Sequence, residues 1–127
     1  MVRHLLYVVI ALPLAAFFAF VGWHKAFSPM ADLARYGAYT AHLPEWIGRI
    51  AGWAEMASAL ALLAGINPKW RVALPWAAAF IIVSQIFSTI IHVQHDEMGA
   101  LTQNAVLSIA AAGLIILSRN RVSGPAS

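Results

Sequence analysis

The most informative feature of this sequence is what it lacks: among 127 residues there is no cysteine, and only 10% are charged. Without cysteine the chain can form no disulfide, no thiolate metal site and no CxxC redox pair. In a typical soluble domain about a quarter of the residues are charged. So few charges cannot cover the surface of a water-soluble globule of this length, which excludes the soluble classes.

Common catalytic motifs are missing as well. The sequence contains no GxSxG nucleophile motif, no Walker loop, no GxGxxG and no HExxH. Hydrolase, NTPase, dinucleotide-binding and zinc-peptidase chemistries therefore have no support. The net charge is +3, but the basic residues do not gather into a face that would bind nucleic acid, so we expect no nucleic-acid partner.

Long apolar segments fill most of the chain, in which 61% of residues are hydrophobic and the mean hydropathy is +0.75. Four segments approach the about 20 residues that a helix needs to cross a hydrocarbon core of about 30 Å. They lie at about residues 5–27, 46–65, 71–93 and 101–117. They do not alternate in polarity as barrel strands do. The sequence predicts one all-α domain, a four-helix transmembrane bundle surrounded by lipid.

The connections between the spans differ in length. Residues 28–45 form the longest, with apolar residues at helical spacing after a Ser-Pro helix start. We expect a short interfacial helix there. The loops at 67–70 and 94–99 are so short that neighbouring helices must be antiparallel. Residues 118–127 are small and polar, and are expected to be a frayed tail.

Charge placement predicts the orientation of the bundle. One end carries basic residues without acids, namely Arg3, Lys69, Arg71, Arg119 and Arg121. The other end carries both signs, namely Lys25, Arg35 and Arg49 with Asp32, Glu45, Asp96 and Glu97. Because Lys and Arg are enriched on the cytoplasmic side, both chain termini are predicted to be cytoplasmic.

Glu55 is the most unusual residue inside a span. It lies about 14 Å past Trp46 at about 1.5 Å per residue, near the middle of the membrane, where an unpaired carboxylate is costly. It must therefore face the bundle interior and be protonated or paired. Gly48 and Gly52 share its helix face and form a GxxxG-type surface for close approach. Glu55 is either a proton-handling residue or a hydrogen-bonding group that holds two helices together.

Other polar residues recur at helical spacing on the spans and predict a polar pocket in the outer half of the bundle. Its predicted residues are Trp23, His24, Lys25, Gly52, Ser58, Gln85, Ser88, Thr89, Asp96, Gln103 and Asn104, with Glu55 and His92 as the candidate catalytic pair. We expect Glu55 and Gln85 at the floor. The predicted mouth comprises His24, Lys25, His92 and Asp96. A dry hydrogen-bond network between helices is the alternative.

Lys25 is predicted to be a charge on the rim of this pocket. It lies about 10 Å above Glu55 by helical rise, and a lysine near a span end tends to direct its amine outward. A direct ion pair would need the first span to extend beyond Phe27, or the second to begin higher.

The string from His92 to Glu97 contains two histidines and two acids, which are metal-ligand types. Its spacing matches no metal signature, so we predict no metal site and a solvated turn at His95, Asp96 and Glu97. His42 and His4 are predicted to be interfacial and inert.

Two short motifs resemble those of a known family. Gly22-Trp-His-Lys25 ends the first span, and Gly52-Trp-Ala-Glu55 lies in the second. This GxxK followed by GxxE, with His92 and Asn104 in the later spans, resembles the DoxX-like family. The resemblance implies a four-helix protein of the bacterial inner membrane. Some members are associated with quinone-linked oxidoreductases, and relatives in animals act as receptor-assembly factors.

Three functions agree with these residues. The first is a membrane-embedded partner or subunit of an oxidoreductase system, whose pocket holds a lipophilic molecule such as a quinone. Glu55 and His92 would then handle protons. The second is a stand-alone enzyme that performs acid–base chemistry on a lipophilic substrate. The third is a non-catalytic assembly factor that presents its helices to a partner protein.

Overall fold

A computed structural model of the chain describes residues 2–123, with side chains as far as Arg119. This part of the chain is helical, without strands, which confirms the predicted all-α class. Its helices are α1 (Val2–Phe27), α2 (Met30–Arg35), α3 (Glu45–Ile66), α4 (Ala73–Gln94) and α5 (Leu101–Ser123). Four of them, all except α2, are long and apolar enough to cross a membrane.

The last helix is longer than the sequence predicts. The expected frayed tail began at Ser118, yet α5 continues through Ser123. The reason is local: between Ser118 and Gly124 the chain contains no glycine or proline that would stop the helix. Residues 124–127 lie outside the described range, as does the side chain of Arg121.

The segment between α1 and α3 forms a cap over one end of the bundle. This cap, residues 30–42, consists of α2 and a 3₁₀ turn, Tyr39–His42. Pro29 precedes the first turn of α2, and Gly37 ends the helix with φ of +75°, a left-handed conformation that favours glycine. The predicted interfacial helix is α2, and the buried side chain of Leu33 anchors it.

The four long helices form a ring in the order α1, α3, α4, α5. The tightest contact joins α1 to α3, where Gly22 faces Gly52. A Cβ atom on Gly52 would lie 2.5 Å from the Ala26 nitrogen and 2.7 Å from the Gly22 oxygen. Only glycine lets the two backbones come so close, which is the general role of small residues between membrane helices.

The two ends of the bundle differ in character. The end at which α1 finishes, here called the Lys25 end, is polar inside and covered by the cap. Toward the opposite end the core is mostly apolar, with Phe18, Leu62 and Leu114 fully buried. Arg71 is also buried there, over the ring of Tyr7 and 3.1 Å from His4 Nδ1, so His4 is not the inert residue that was expected. Large apolar side chains also cover the outside of every long helix, and this outer surface indicates contact with the lipid bilayer.

Candidate functional site

The centre of the polar end is an ion pair between Lys25 and Glu55. The Lys25 Nζ atom donates a hydrogen bond of 2.7 Å to Glu55 Oε1. The carboxylate side chain is 1% exposed and the lysine 12% exposed. Two charges this well shielded stabilise the fold only as a pair, because either one alone would be a buried, uncompensated charge.

The expectation that Lys25 is an unpaired rim charge is therefore wrong. Every helical side chain leans toward the N-terminus of its own helix. Since α1 and α3 are antiparallel, Lys25 leans inward from the end of α1, while Glu55 leans outward along α3. The close contact between Gly22 and Gly52 brings the two helices together and so shortens the remaining distance between the Lys25 and Glu55 side chains. Helical rise describes the separation of the two residues along the helix axes. It contains no information on the directions of their side chains.

Arg49 fixes the end of the helix that carries Lys25. Its guanidinium donates hydrogen bonds to the carbonyl oxygens of Lys25, at 3.0 Å, and Ser28, and one to Glu45 Oε1 at 3.0 Å. These are carbonyls at the C-terminus of α1, which lack helical partners and attract cations. The i,i+4 spacing of Glu45 and Arg49 was visible in the sequence, but not their contact with α1.

Tyr39, in the cap, completes the surroundings of the ion pair. The Lys25 ammonium lies 4.5 Å from the centre of its ring, a cation–π contact. Burial raises the pKa of the Tyr39 phenol, the negative Glu55 carboxylate adds to the increase, and the nearby Ser84 hydroxyl partly opposes it. Tyr39 thus stays protonated at neutral pH. No sequence pattern marks Tyr39, because it lies outside the long apolar spans and belongs to no motif.

The other carboxylate oxygen of Glu55 is unsatisfied. Glu55 Oε2 is buried and has no hydrogen-bond partner among the described residues, and the same holds for the hydroxyl of Thr40. Buried polar atoms without partners are rare in proteins and call for an explanation, such as an ordered water or a ligand. Glu55 Oε2 can therefore accept a hydrogen bond in the interior of the bundle.

A cavity of about 950 Å³ lies between α1, α4, α5 and the cap. Its apolar wall includes Phe17, Phe18, Phe20, Val21, Leu33 and Leu107. Its polar wall comprises His24, Lys25, Tyr39, Gln85, Ser88, His92, Glu97, Gln103 and Asn104. A mostly apolar cavity with a few converging polar groups is the usual form of a small-molecule site.

Seven residues of the sequence-predicted pocket line this cavity. They are His24, Lys25, Gln85, Ser88, His92, Gln103 and Asn104. Glu55 is not among the lining residues, but its ion pair with Lys25 connects it to the cavity. The Asn104 amide donates hydrogen bonds to Ser88 Oγ at 3.3 Å and Thr89 Oγ1 at 3.0 Å. Both bonds use the amide nitrogen of Asn104, so its amide oxygen is not hydrogen-bonded to either of these α4 hydroxyls.

Four other residues of the predicted pocket have different surroundings, and Thr89 contributes only its bond to Asn104. Trp23 is 56% exposed on the outside of α1, and Gly52 packs on the α1 backbone. Ser58 donates its hydroxyl to the Ala54 carbonyl within α3. Asp96 is an exposed turn residue with φ of +57°, and its neighbour Glu97 lines the cavity instead.

Glu97 joins the cap to α4 through two histidines. Its Oε1 atom accepts a hydrogen bond of 2.8 Å from His42 Nε2 and one of 3.0 Å from His92 Nδ1. The rings of His42 and His95 stack with centroids 3.7 Å apart. We call these contacts the clasp. His42, which was expected to be inert, thus makes two specific contacts. The turn that was expected to be solvated is largely exposed and is also tied to the cap.

The clasp also affects the carboxylate itself. The hydrogen bond from His42, followed by that from His92, lowers the pKa of Glu97 below its usual value.

Among the residues that the structure describes, no group of three or more histidine, cysteine or acidic side chains could hold a metal ion.

The similarity of the whole chain to known proteins agrees with this architecture. A model of the DoxX-like family matches residues 9–116, which include most of each long helix and every residue that lines the cavity. No curated protein and no solved structure gives a significant match.

Proposed function

Since the chain belongs to the DoxX-like family of membrane proteins, we propose that it is the membrane-embedded partner of an oxidoreductase system. In this proposal the cavity holds a lipophilic molecule whose reduction or oxidation needs protons. The observation that carries the proposal is the buried Lys25–Glu55 pair, whose lysine lines the cavity wall. Ionisable pairs in membrane helices often mark proton pathways.

The pair offers a way to deliver a proton. The Lys25 ammonium donates to Glu55 and also lines the cavity, so a ligand oxygen beside it can accept a proton. The neutral amine that remains lies next to a carboxylate, which favours its reprotonation. His92, on the same cavity wall, is hydrogen-bonded to Glu97 near the bundle end, and this chain of groups supports a route to the aqueous side.

A quinone-type ligand fits these residues. Its ring matches the aromatic and apolar wall, and its oxygens match the Lys25 ammonium and the Gln85 amide. When bound, a quinone supplies two-electron chemistry coupled to proton uptake. The chain has no cysteine and so no dithiol of its own. The electrons in this proposal come from a partner protein, whereas the chain binds, orients and protonates.

The test is direct binding in lipid nanodiscs. A benzoquinone with three methyl groups and one decyl chain should bind the wild-type protein, and Lys25→Met should weaken that binding at least tenfold. Cross-linking in native membranes should also recover a redox protein. Equal binding by wild type and Lys25→Met would contradict the proposed ligand site.

A second function is favoured by the unpartnered Oε2 atom of Glu55. A buried carboxylate oxygen without a hydrogen bond is suited to act as a general base. The chain would then catalyse an acid–base reaction, such as isomerisation, on a lipophilic substrate by itself. Turnover by the purified protein, without a redox partner, distinguishes this function from the first.

A further inference from the structure

Two exposed side chains that line the cavity, one on α1 and one on α5, indicate that it opens sideways between these helices. These helices approach each other near Ile10 and Gly113, where a Cβ on the glycine would lie 3.8 Å from the Ile10 side chain. Toward the Lys25 end they stand on opposite sides of the cavity. Phe20 of α1, 65% exposed, and Gln103 of α5, also exposed, both line it. We call the gap between these two side chains the side mouth.

The side mouth lies at the depth of the lipid chains. Phe20 stands two helical turns before Phe27, so it is about 10 Å below the end of α1. Above it, Tyr36, Gly37 and Ala38 of the cap line the cavity and cover the end of the bundle. An occupant therefore meets protein toward the membrane surface and hydrocarbon at the side mouth.

The interior of the cavity contains an unused polar group. Gln85 is only 5% exposed, lines the cavity and forms no hydrogen bond with the described residues. Its amide can both donate to and accept from an occupant. Lys25 beside it is neutralised by Glu55. Glu97, the carboxylate on the cavity wall, is likewise engaged by His42 and His92. A charged head group would have to compete with these existing pairs, and an unpaired charge in such a site is costly.

We propose that the occupant is a bilayer amphiphile with an uncharged head group that bears carbonyl or hydroxyl oxygens. The head group lies against Lys25 and Gln85, and its tail leaves through the side mouth into the lipid. This inference rests on the proposed function in one respect, namely that the cavity is the ligand site. It adds the chemical class of the ligand and its route of entry.

Two probes with one head group test the inference. One is tetramethyl-1,4-benzoquinone, and the other carries a decyl chain in place of one methyl. Tritiated forms are bound at equilibrium to protein in nanodiscs, with concentrations expressed per lipid. Gln103→Trp fills the side mouth. Thr102→Trp, at an adjacent exposed position that does not line the cavity, is the matched control.

We expect Gln103→Trp to weaken binding of the decyl probe at least tenfold, because the indole occupies the path of the tail. Binding of the tetramethyl probe, which has no tail, should weaken less than binding of the decyl probe, and thermal denaturation of the variant shows that it is folded. Thr102→Trp should change neither probe. If Gln103→Trp leaves decyl binding intact, tail exit by the side mouth is wrong while the proposed function stands. If neither probe binds wild type, both proposals fall.

Discussion

The Lys25 ammonium contacts the Glu55 carboxylate at 2.7 Å, although the two residues lie 30 positions apart on different helices. This contact gives each residue a structural role as well as a chemical one. Removing one partner of a buried pair typically costs about 3–5 kcal/mol, whereas replacing both by neutral groups is often tolerated. Loss of activity in a single variant therefore does not separate the two roles, but a double variant does.

We expect Glu55→Gln and Lys25→Met each to lower the thermal stability of the protein in detergent. The double variant Lys25→Met/Glu55→Gln should regain most of that stability, because no unpaired charge remains. It should still fail to bind the quinone probe and to deliver protons. Wild-type activity in the double variant, at matched membrane abundance, would leave only the scaffold role for the pair.

His92 should contribute to proton delivery, but less than the ion pair. His92→Gln keeps a polar side chain but cannot accept and pass on a proton as an imidazole does, so we expect a reduced rate and a folded protein. Water can take the vacated place beside Glu97, which limits the loss. His95→Gln is the control, because His95 is exposed and hydrogen-bonds the Ile91 carbonyl rather than lining the cavity. Equal rates in both variants would remove His92 from the proton route.

The glycine contact between α1 and α3 should tolerate no added methyl group. Gly52→Ala places a Cβ 2.5 Å from the Ala26 nitrogen, so the helices must separate, at a cost of about 1–3 kcal/mol. Gly113→Ala is the control, since its Cβ meets only ordinary contact at 3.8 Å, and alanine is the better helix former. Thermal denaturation of both variants measures the difference. Unchanged stability in Gly52→Ala would contradict the close packing.

The clasp should weaken in acid. Hydrogen bonds from His42 and His92 lower the pKa of Glu97 below its ordinary value of 4.5, so the clasped state favours the carboxylate. Its contribution is complete above pH 4.5 and is lost as the pH falls through the lowered value. The other titratable groups of the clasp are its three histidines, His42, His92 and His95.

Hydrogen exchange of the amides in the 3₁₀ turn Tyr39–His42 reports this opening. We expect protection to be constant above pH 4.5 and to fall progressively at lower pH, because the pKa of Glu97 lies below 4.5. Glu97→Gln should abolish that pH step. A step of the same size in Glu97→Gln would assign the effect to another group.

The predicted orientation is tested by reporter fusions. Fusions at Asn67 and at the C-terminal Ser127 should report a cytoplasmic location, and a fusion within the cap at Gly37 should report the opposite side. The physical reason is the excess of lysine and arginine at the end that carries Lys69 and Arg71. An external location for Ser127 would reverse the orientation.

Much of the fold could be predicted from the sequence alone, because the sequence patterns that indicate it are local. Hydropathy over windows of about 20 residues predicts spans, and the four long helices agree with it. The depth of Glu55 and the spacing from Gln85 to His92 marked the polar interior without any knowledge of neighbours. Helical period decides which face of one helix a residue occupies, and this depends only on the chain itself.

Only the tertiary structure decided which of these groups meet. The pairing of Lys25 with Glu55 depends on the antiparallel tilt of two side chains and on the backbone approach at Gly52. Tyr39 and Glu97 joined the site from loops, where no periodic pattern exists to mark them. Such contacts depend on the relative heights and separations of different helices, and spacing along a single chain contains no measure of either.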